Sequence, residues 1–266
     1  MQTVTVISKT DLVQHESNIE SLFLKCFGDR LSLDLWRWAY LDNPHGEPVV
    51  SLCYDEDLLV GHYAAIPIPL KSSSGRINSY LSMTTMVAAS HRQHGLFVKL
   101  AENTYGRATS LGVDFVMGFP NDMSTPGFKK RLNWDLPPPD FVASVSKDQL
   151  LELIAARAIP NSASFRFELE DEVSRKWRLS RPGATYKWEN GLAYKEFDNG
   201  IDLLAFKSIA DLEHLPDCGK INLLVPVEAE ALAPFKSFDY QFGGISLKST
   251  FNPKFINRQM ALSDLF

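Results

Sequence analysis

The chain has 266 residues, of which 45% are apolar and 22% charged, and a net charge of −5. That composition belongs to a folded globular protein with a large core and excludes a disordered chain, and the acidic balance without a long Lys/Arg run argues against a nucleic-acid surface. Cys26, Cys53 and Cys218 lie far apart, so neither a disulfide framework nor a zinc or other metal site is expected; no membrane span and no signal peptide is visible, which predicts a cytoplasmic location.

In chain order, Thr3 to Ile7 alternates as a strand, and Asp11 to Phe27 carries Leu12, Ile19, Leu22, Phe23 and Phe27 on one helical face, stopped by Gly28. Leu31 to Tyr40 reads as a short helix with Trp36, Arg37 and Trp38 near its end, before Asn43-Pro44-His45-Gly46 turns the chain. Val49 to Tyr54 and Leu58 to Leu70 form a hairpin about Asp55-Glu56-Asp57, and Arg76 to Ala88 pairs next, after the turn Ser72-Ser73-Ser74-Gly75. Met83 to Ala88 is β-prone, whereas Leu96, Leu100, Thr104, Ala108 and Leu111 recur every three or four residues, as on a buried helix face.

Between that strand and helix lies His91-Arg92-Gln93-His94-Gly95. A helix start has unpaired N–H groups and the positive end of the helix dipole, and a glycine there lets a ligand approach the backbone, so the turn suits a phosphate. An ordinary solvated turn is the competing reading. Gly112 is a natural end for the helix, Val113 to Phe119 is a buried strand, and Ser124-Thr125-Pro126 starts a helix with Phe128 and Leu132 inward. Phe141 to Val145 reads as the closing strand of this half.

Past Val145, Gln149 to Ala158 is helical in pattern, and Val173 to Pro182 sets Trp177-Arg178 ahead of Arg181-Pro182, echoing Trp36-Arg37-Trp38 ahead of Asn43-Pro44. Strand-like runs follow at Thr185 to Lys187, Leu192 to Phe197, Ile201 to Phe206 and Ile221 to Val225, then a helix near Glu228 to Phe238 and a strand from Gly243 to Thr250. The echo is either a degenerate second copy of the first half or an elaborated C-terminal unit.

The order Val87-x-Ala89-x-x-Arg92-x-x-Gly95, the helix after it, the strand ending near Asn121 and the helix ending at Leu132-Asn133-Trp134 resemble the GNAT superfamily of acyl-CoA-dependent N-acyltransferases over about Val4 to Phe141. The resemblance implies an α/β (α+β) chain with the GNAT fold: a mixed central sheet flanked by helices, plus a second GNAT-like or elaborated C-terminal α/β half. It divides the chain into residues 1–145, with the coenzyme A site, and 146–266, which completes the substrate cleft. Acetyl-CoA is the implied co-substrate, with no metal, and a small-molecule amine the acceptor. The pattern is similar to relatives tied to amino-sugar or surface-polysaccharide synthesis. Transfer to an amino acid, transfer of a longer acyl chain, and a non-catalytic acyl-CoA sensor or scaffold remain open.

By the same resemblance, backbone groups at Met86 and Val87 would meet the acyl thioester and the pantetheine arm, and Arg92 with the N–H groups of Gln93, His94, Gly95, Leu96 and Phe97 would hold the pyrophosphate. Phe97 stands where the family usually has glycine or alanine. Asn121 matches a position that touches the arm, or is a helix cap. Phe128 occupies the place of a tyrosine that protonates the leaving thiolate and has no proton to give, so Tyr105 and Ser124 are the substitute donors considered. His62, on the strand bordering the expected cleft, is the candidate general base, with a packed strand histidine as the alternative. Trp36, Trp38 and Tyr63 either line an acceptor pocket or belong to the core.

Overall fold

The computed structural model describes residues 1–73, 75–156, 165–248, 252–263 and 266. The first half runs β1 (Gln2–Val6), α1 (Lys9–Val13), α2 (Glu16–Phe27), α3 (Leu33–Tyr40), β2 (Val49–Asp55), β3 (Leu58–Pro67), a small hairpin of β4 (Leu70–Ser72) and β5 (Gly75–Ile77), then β6 (Ser79–Val87) and a 3-10 turn (Ala89–His94). It ends with α4 (Leu96–Ser110), β7 (Phe115–Gly118) and α5 (Thr125–Arg131). The second half runs β8 (Asp140–Val145), α6 (Lys147–Ala155), α7 (Glu172–Leu179), β9 (Tyr186–Glu189), β10 (Leu192–Phe197), β11 (Gly200–Phe206), β12 (Ile221–Val225), β13 (Lys236–Tyr240) and β14 (Gly243–Ser246).

Two six-stranded mixed sheets result, in the orders β1-β2-β3-β6-β7-β14 and β13-β8-β12-β11-β10-β9. In the first, β2, β3 and β6 are antiparallel, β6 and β7 parallel, and β7 and β14 antiparallel. The second repeats that succession: β9, β10 and β11 antiparallel, β11 and β12 parallel, β12 and β8 antiparallel. The C-terminal half is thus GNAT-like in its sheet. The helices keep the relation too. Ser32 and Asp171 cap α3 and α7 in the same way, and Trp38 Nε1 donates to the Trp177 carbonyl (2.7 Å) as Trp177 Nε1 does to that of Trp38 (2.8 Å), a separation of 139 residues. The two indole rings stack at 5.0 Å about this local two-fold.

Several sequence expectations need correction. The strand at Phe141 to Val145 does not close the first sheet: β8 joins the second, between β12 and β13, and the place beside β7 is taken by β14. The last strand of the chain thus completes the first sheet, while the strand expected to close it belongs to the second. The helix expected from Asp11 to Phe27 breaks at Gln14-His15, where the histidine ring reaches Tyr54 Oη at 2.7 Å. The long strand expected from Leu58 to Leu70 stops at Pro67, because Pro67 and Pro69 have no N–H for a ladder. Near Glu228 to Phe238 the chain makes only a 3-10 turn, Glu230–Phe235, with Pro234 inside it, and then β13. The expectations at Ser74, Ala158 and Thr250 fall outside the described residues.

One face of the first sheet packs through Leu52, Ala64 and Ile66 onto α2, α3 and part of the second half. The other, with Val60, Tyr63 and Val116, is covered by α4 and α5. Among the described residues no helix is long and apolar enough to cross a membrane, and no group of three His, Cys, Asp or Glu side chains is placed to hold a metal.

Candidate active site

Strands β6 and β7 pair in parallel only over Ser79–Leu81 and Phe115–Met117. Beyond Leu81 they part, and β6 runs on to Val87 with its β7-facing edge open. The chain then passes through the 3-10 turn to Gly95, at φ +67° with nothing within 4 Å of where a Cβ would stand, and enters α4. Glycine takes that left-handed conformation without strain. The first turn of this 15-residue helix has no side-chain cap for its N–H groups and follows directly on the strand that borders the gap. Arg92, Gln93 and His94 are exposed around it. Gln93 Nε2 donates to the Ser90 carbonyl, and His91 is drawn aside to Asp55, Nε2 to Oδ2 at 3.2 Å. Cys26 of α2 lies near Val87 and Arg92; burial pushes its thiol up, against the pull of the Arg92 charge.

This open strand edge leading to an uncovered helix start fits an extended arm ending in a diphosphate. Phe97 does not crowd the turn. Its ring leans onto α5, 3.2 Å from where a Gly127 Cβ would be, and meets Phe128 edge to face at 5.4 Å. Phe128 is buried against Trp134. Leu96 is buried under β3 and Met86 in the core, while Val87 is half-buried at the open edge. Asn121 is exposed and its Oδ1 accepts from the Ser124 N–H at 2.9 Å, so it shapes the turn into α5.

Other candidates lie elsewhere. Tyr105 is 8% exposed between α4 and β3, its Oη 2.7 Å from Tyr63 Oη and accepting from Trp134 Nε1 at 2.8 Å. Burial drives its pKa well above the tyrosine range, which makes it a poor acid. Ser124 Oγ is engaged with the Asn121 carbonyl at 3.1 Å. Trp36, Trp38 and Tyr63 are not brought together. Trp36 packs with Tyr40 in the core, Trp38 stacks on Trp177, and Tyr63 faces α4 on the opposite side of the sheet, where Ser82 Oγ donates to it at 2.9 Å. Sequence reasoning missed the Ser82-Tyr63-Tyr105-Trp134 network, since residues 19 to 42 apart carry no local signal.

His62 is wholly buried, and its Nδ1 lies 2.7 Å from the Thr84 carbonyl. A carbonyl only accepts, so Nδ1 carries the hydrogen. Burial lowers its pKa to about 4, partly offset by that bond. It is therefore not a base poised near neutral pH. The unfolded chain binds a proton at His62 near pH 6.5 and the folded one only near 4, so stability rises with pH across that window. This contribution is complete above about pH 6.5 and falls away as pH drops through about 4, by about 3 kcal/mol. His62→Asn is expected to flatten that acid limb in urea unfolding at pH 4 and pH 7.

The fold itself recurs among known proteins. Residues 14–136 match the model of the GNAT acetyltransferase domain family. Among solved structures, the chain is similar to a GCN5-related N-acetyltransferase from Kribbella flavida (13% identity, 92% of this chain and 72% of that one, TM-score 0.62). It is similar also to Eis1 from Mycobacterium abscessus (10%, 93% and 74%, TM-score 0.62). A third similar structure is a GCN5-related N-acetyltransferase from Anabaena variabilis (12%, 93% and 73%, TM-score 0.58). At such identities the likeness is one of fold, and it spans both halves. No curated protein matches the sequence. The match to the GNAT acetyltransferase domain family thus covers somewhat less than half of the chain, within the half that carries β6 and the turn at Gly95.

Proposed function

We propose that the protein is an N-acetyltransferase that moves an acetyl group from acetyl-CoA to a small amine, with an amino sugar or nucleotide-linked amino sugar as the first acceptor class to try. The observation that carries this reading is the open edge of β6 running straight into an uncovered helix start at Gly95. Residues 1–145 would hold the coenzyme, and residues 146–266 would complete the acceptor side. Acetyl-CoA, once bound, supplies an acyl group activated as a thioester. Arg92 and the N–H groups from Gln93 to Phe97 hold its diphosphate. The free backbone edge from Thr84 to Val87 takes the arm as a further strand would and offers N–H donors to the acyl oxygen. Phe128 has no proton to give, and none is required, because a thiol of pKa about 8.5 is a fair leaving group at neutral pH.

Thiol release from acetyl-CoA with a panel of amines tests the reading. Turnover with at least one amine is expected, and Arg92→Ala should raise the KM for acetyl-CoA about tenfold or more by removing a charge-assisted bond. Gly95→Glu should weaken acetyl-CoA about a hundredfold, since it sets a carboxylate and a strained φ where the diphosphate approaches. The buried phenylalanine at 128 favours a second reading, an acyl-CoA sensor; binding without turnover on any amine would select it.

A further inference from the structure

Strand β6 is not regular where it borders the gap. His62 is in register with Met86 and Ala64 with Met83, so Tyr63 alone faces both Thr84 and Thr85. This is a β-bulge, and its first residue, Thr84, sits at φ +52°. Glycine is usual there. A β-branched residue in that region is an outlier that persists only when its surroundings impose it. One bond on the page does so: Nδ1–H of the buried His62 donates to the Thr84 carbonyl at 2.7 Å.

We infer that His62 is a positioning residue for the acyl site: by holding the Thr84 carbonyl, it keeps Thr84 in the left-handed bulge that frees the backbone at Thr84 and Thr85 for the acyl oxygen. The inference rests on the acyltransferase reading. Thr84 and Thr85 have no register partner on β3, and β7 has already parted from β6 beyond Leu81 and Met117. Apart from the Thr84 carbonyl, which His62 holds, the backbone of Thr84 and Thr85 therefore has no register partner in either ladder. Without the bulge the register would slip by one residue and turn every side chain after Met83 to the other face, taking Met86 out of the core, where it is 2% exposed. His62 Nε2 is buried and, among the described residues, meets no hydrogen-bond partner, which suits a ring kept for its other nitrogen.

The test uses the carbonyl signal of bound [1-13C]acetyl-CoA and the ratio of affinities for acetyl-CoA and CoA. In the unaltered protein the bound carbonyl should shift downfield, as hydrogen bonding requires. His62→Ala should lose the shift and weaken acetyl-CoA about tenfold, with CoA affinity unchanged. Two rescues separate positioning from base catalysis or mere packing. His62→Asn puts an N–H where Nδ1 was but has no basic nitrogen, and should recover the shift. In His62→Ala/Thr84→Gly, glycine adopts the left-handed conformation unaided, so the double variant should recover it as well. An unchanged shift in His62→Ala, or failure of both rescues, would overturn the inference. If His62→Ala does not fold, His62→Asn decides alone, its shift retained in support or lost in contradiction. Absence of acetyl-CoA binding to the unaltered protein would overturn the acyltransferase reading itself, and this inference with it.

Discussion

Asp140→Ala is expected to destabilise the protein by about 3–5 kcal/mol, measured as a lower midpoint in urea unfolding. Asp140 and Arg258 face each other with side chains only 2% and 7% exposed, Oδ2 2.5 Å from Nε, a close ionic contact that is not aligned as a hydrogen bond. The other carboxylate oxygen accepts from the Val227 N–H at 3.3 Å. Burial pushes the Asp140 carboxyl up to about 6 against the pull of the guanidinium. The carboxylate balances a charge that the core cannot solvate, so removing it leaves Arg258, among the described residues, to the ion pair with Glu228, 4.0 Å away and more than half exposed. Breaking the surface pair Lys176–Glu172, whose side chains are 76% and 63% exposed, should leave the unfolding midpoint essentially unchanged, because solvent screens it. Replacing Asp140 and Arg258 together by leucine and methionine should restore most of the loss, because a dry pair can be exchanged for apolar side chains of like size.

Gly244→Ala is expected to cost about 3 kcal/mol and to unseat β14. A Cβ there would lie 2.3 Å from Cζ of Phe115 and 2.4 Å from the Val116 carbonyl oxygen, both on β7 and both in the packed interior. Gly244 also exchanges two backbone bonds with Asp135, at 2.8 and 3.0 Å, so β14 is gripped on both sides and has no room to shift. Since β14 completes the first sheet, thermal unfolding and amide exchange on β7 should report the change together. Gly106→Ala is the control. It lies inside α4 with nothing within 4 Å of a Cβ, and alanine there should stabilise by about 0.5–1 kcal/mol.

Most elements of the fold could be read from periodicity and punctuation. Leu96 to Ala108 gave α4, Gly28 and Gly112 the ends of α2 and α4, and the tryptophan echo the relation between α3 and α7. The destination of the last strands could not. Val142 and Ala143 would alternate in the same way beside β7 as beside β12, and only tertiary packing decides which sheet receives them. The turn at Arg92 and Gly95 was readable as the entry to α4, because a glycine ahead of a periodic apolar face marks a helix start. The placement of His62 and Tyr63 was not, because a two-residue period carried unbroken along the hairpin misses the extra residue on β6. The bulge at Thr84 resets that parity, and a threonine gives no warning of a positive φ.

The central claim is that the open edge of β6 and the helix start at Gly95 form one site for an acyl-coenzyme A. Calorimetric titration of acetyl-CoA into the unaltered protein tests it most directly. One site per chain with a micromolar Kd is predicted; no heat of binding at millimolar acetyl-CoA would contradict the claim and leave a GNAT fold kept for another purpose.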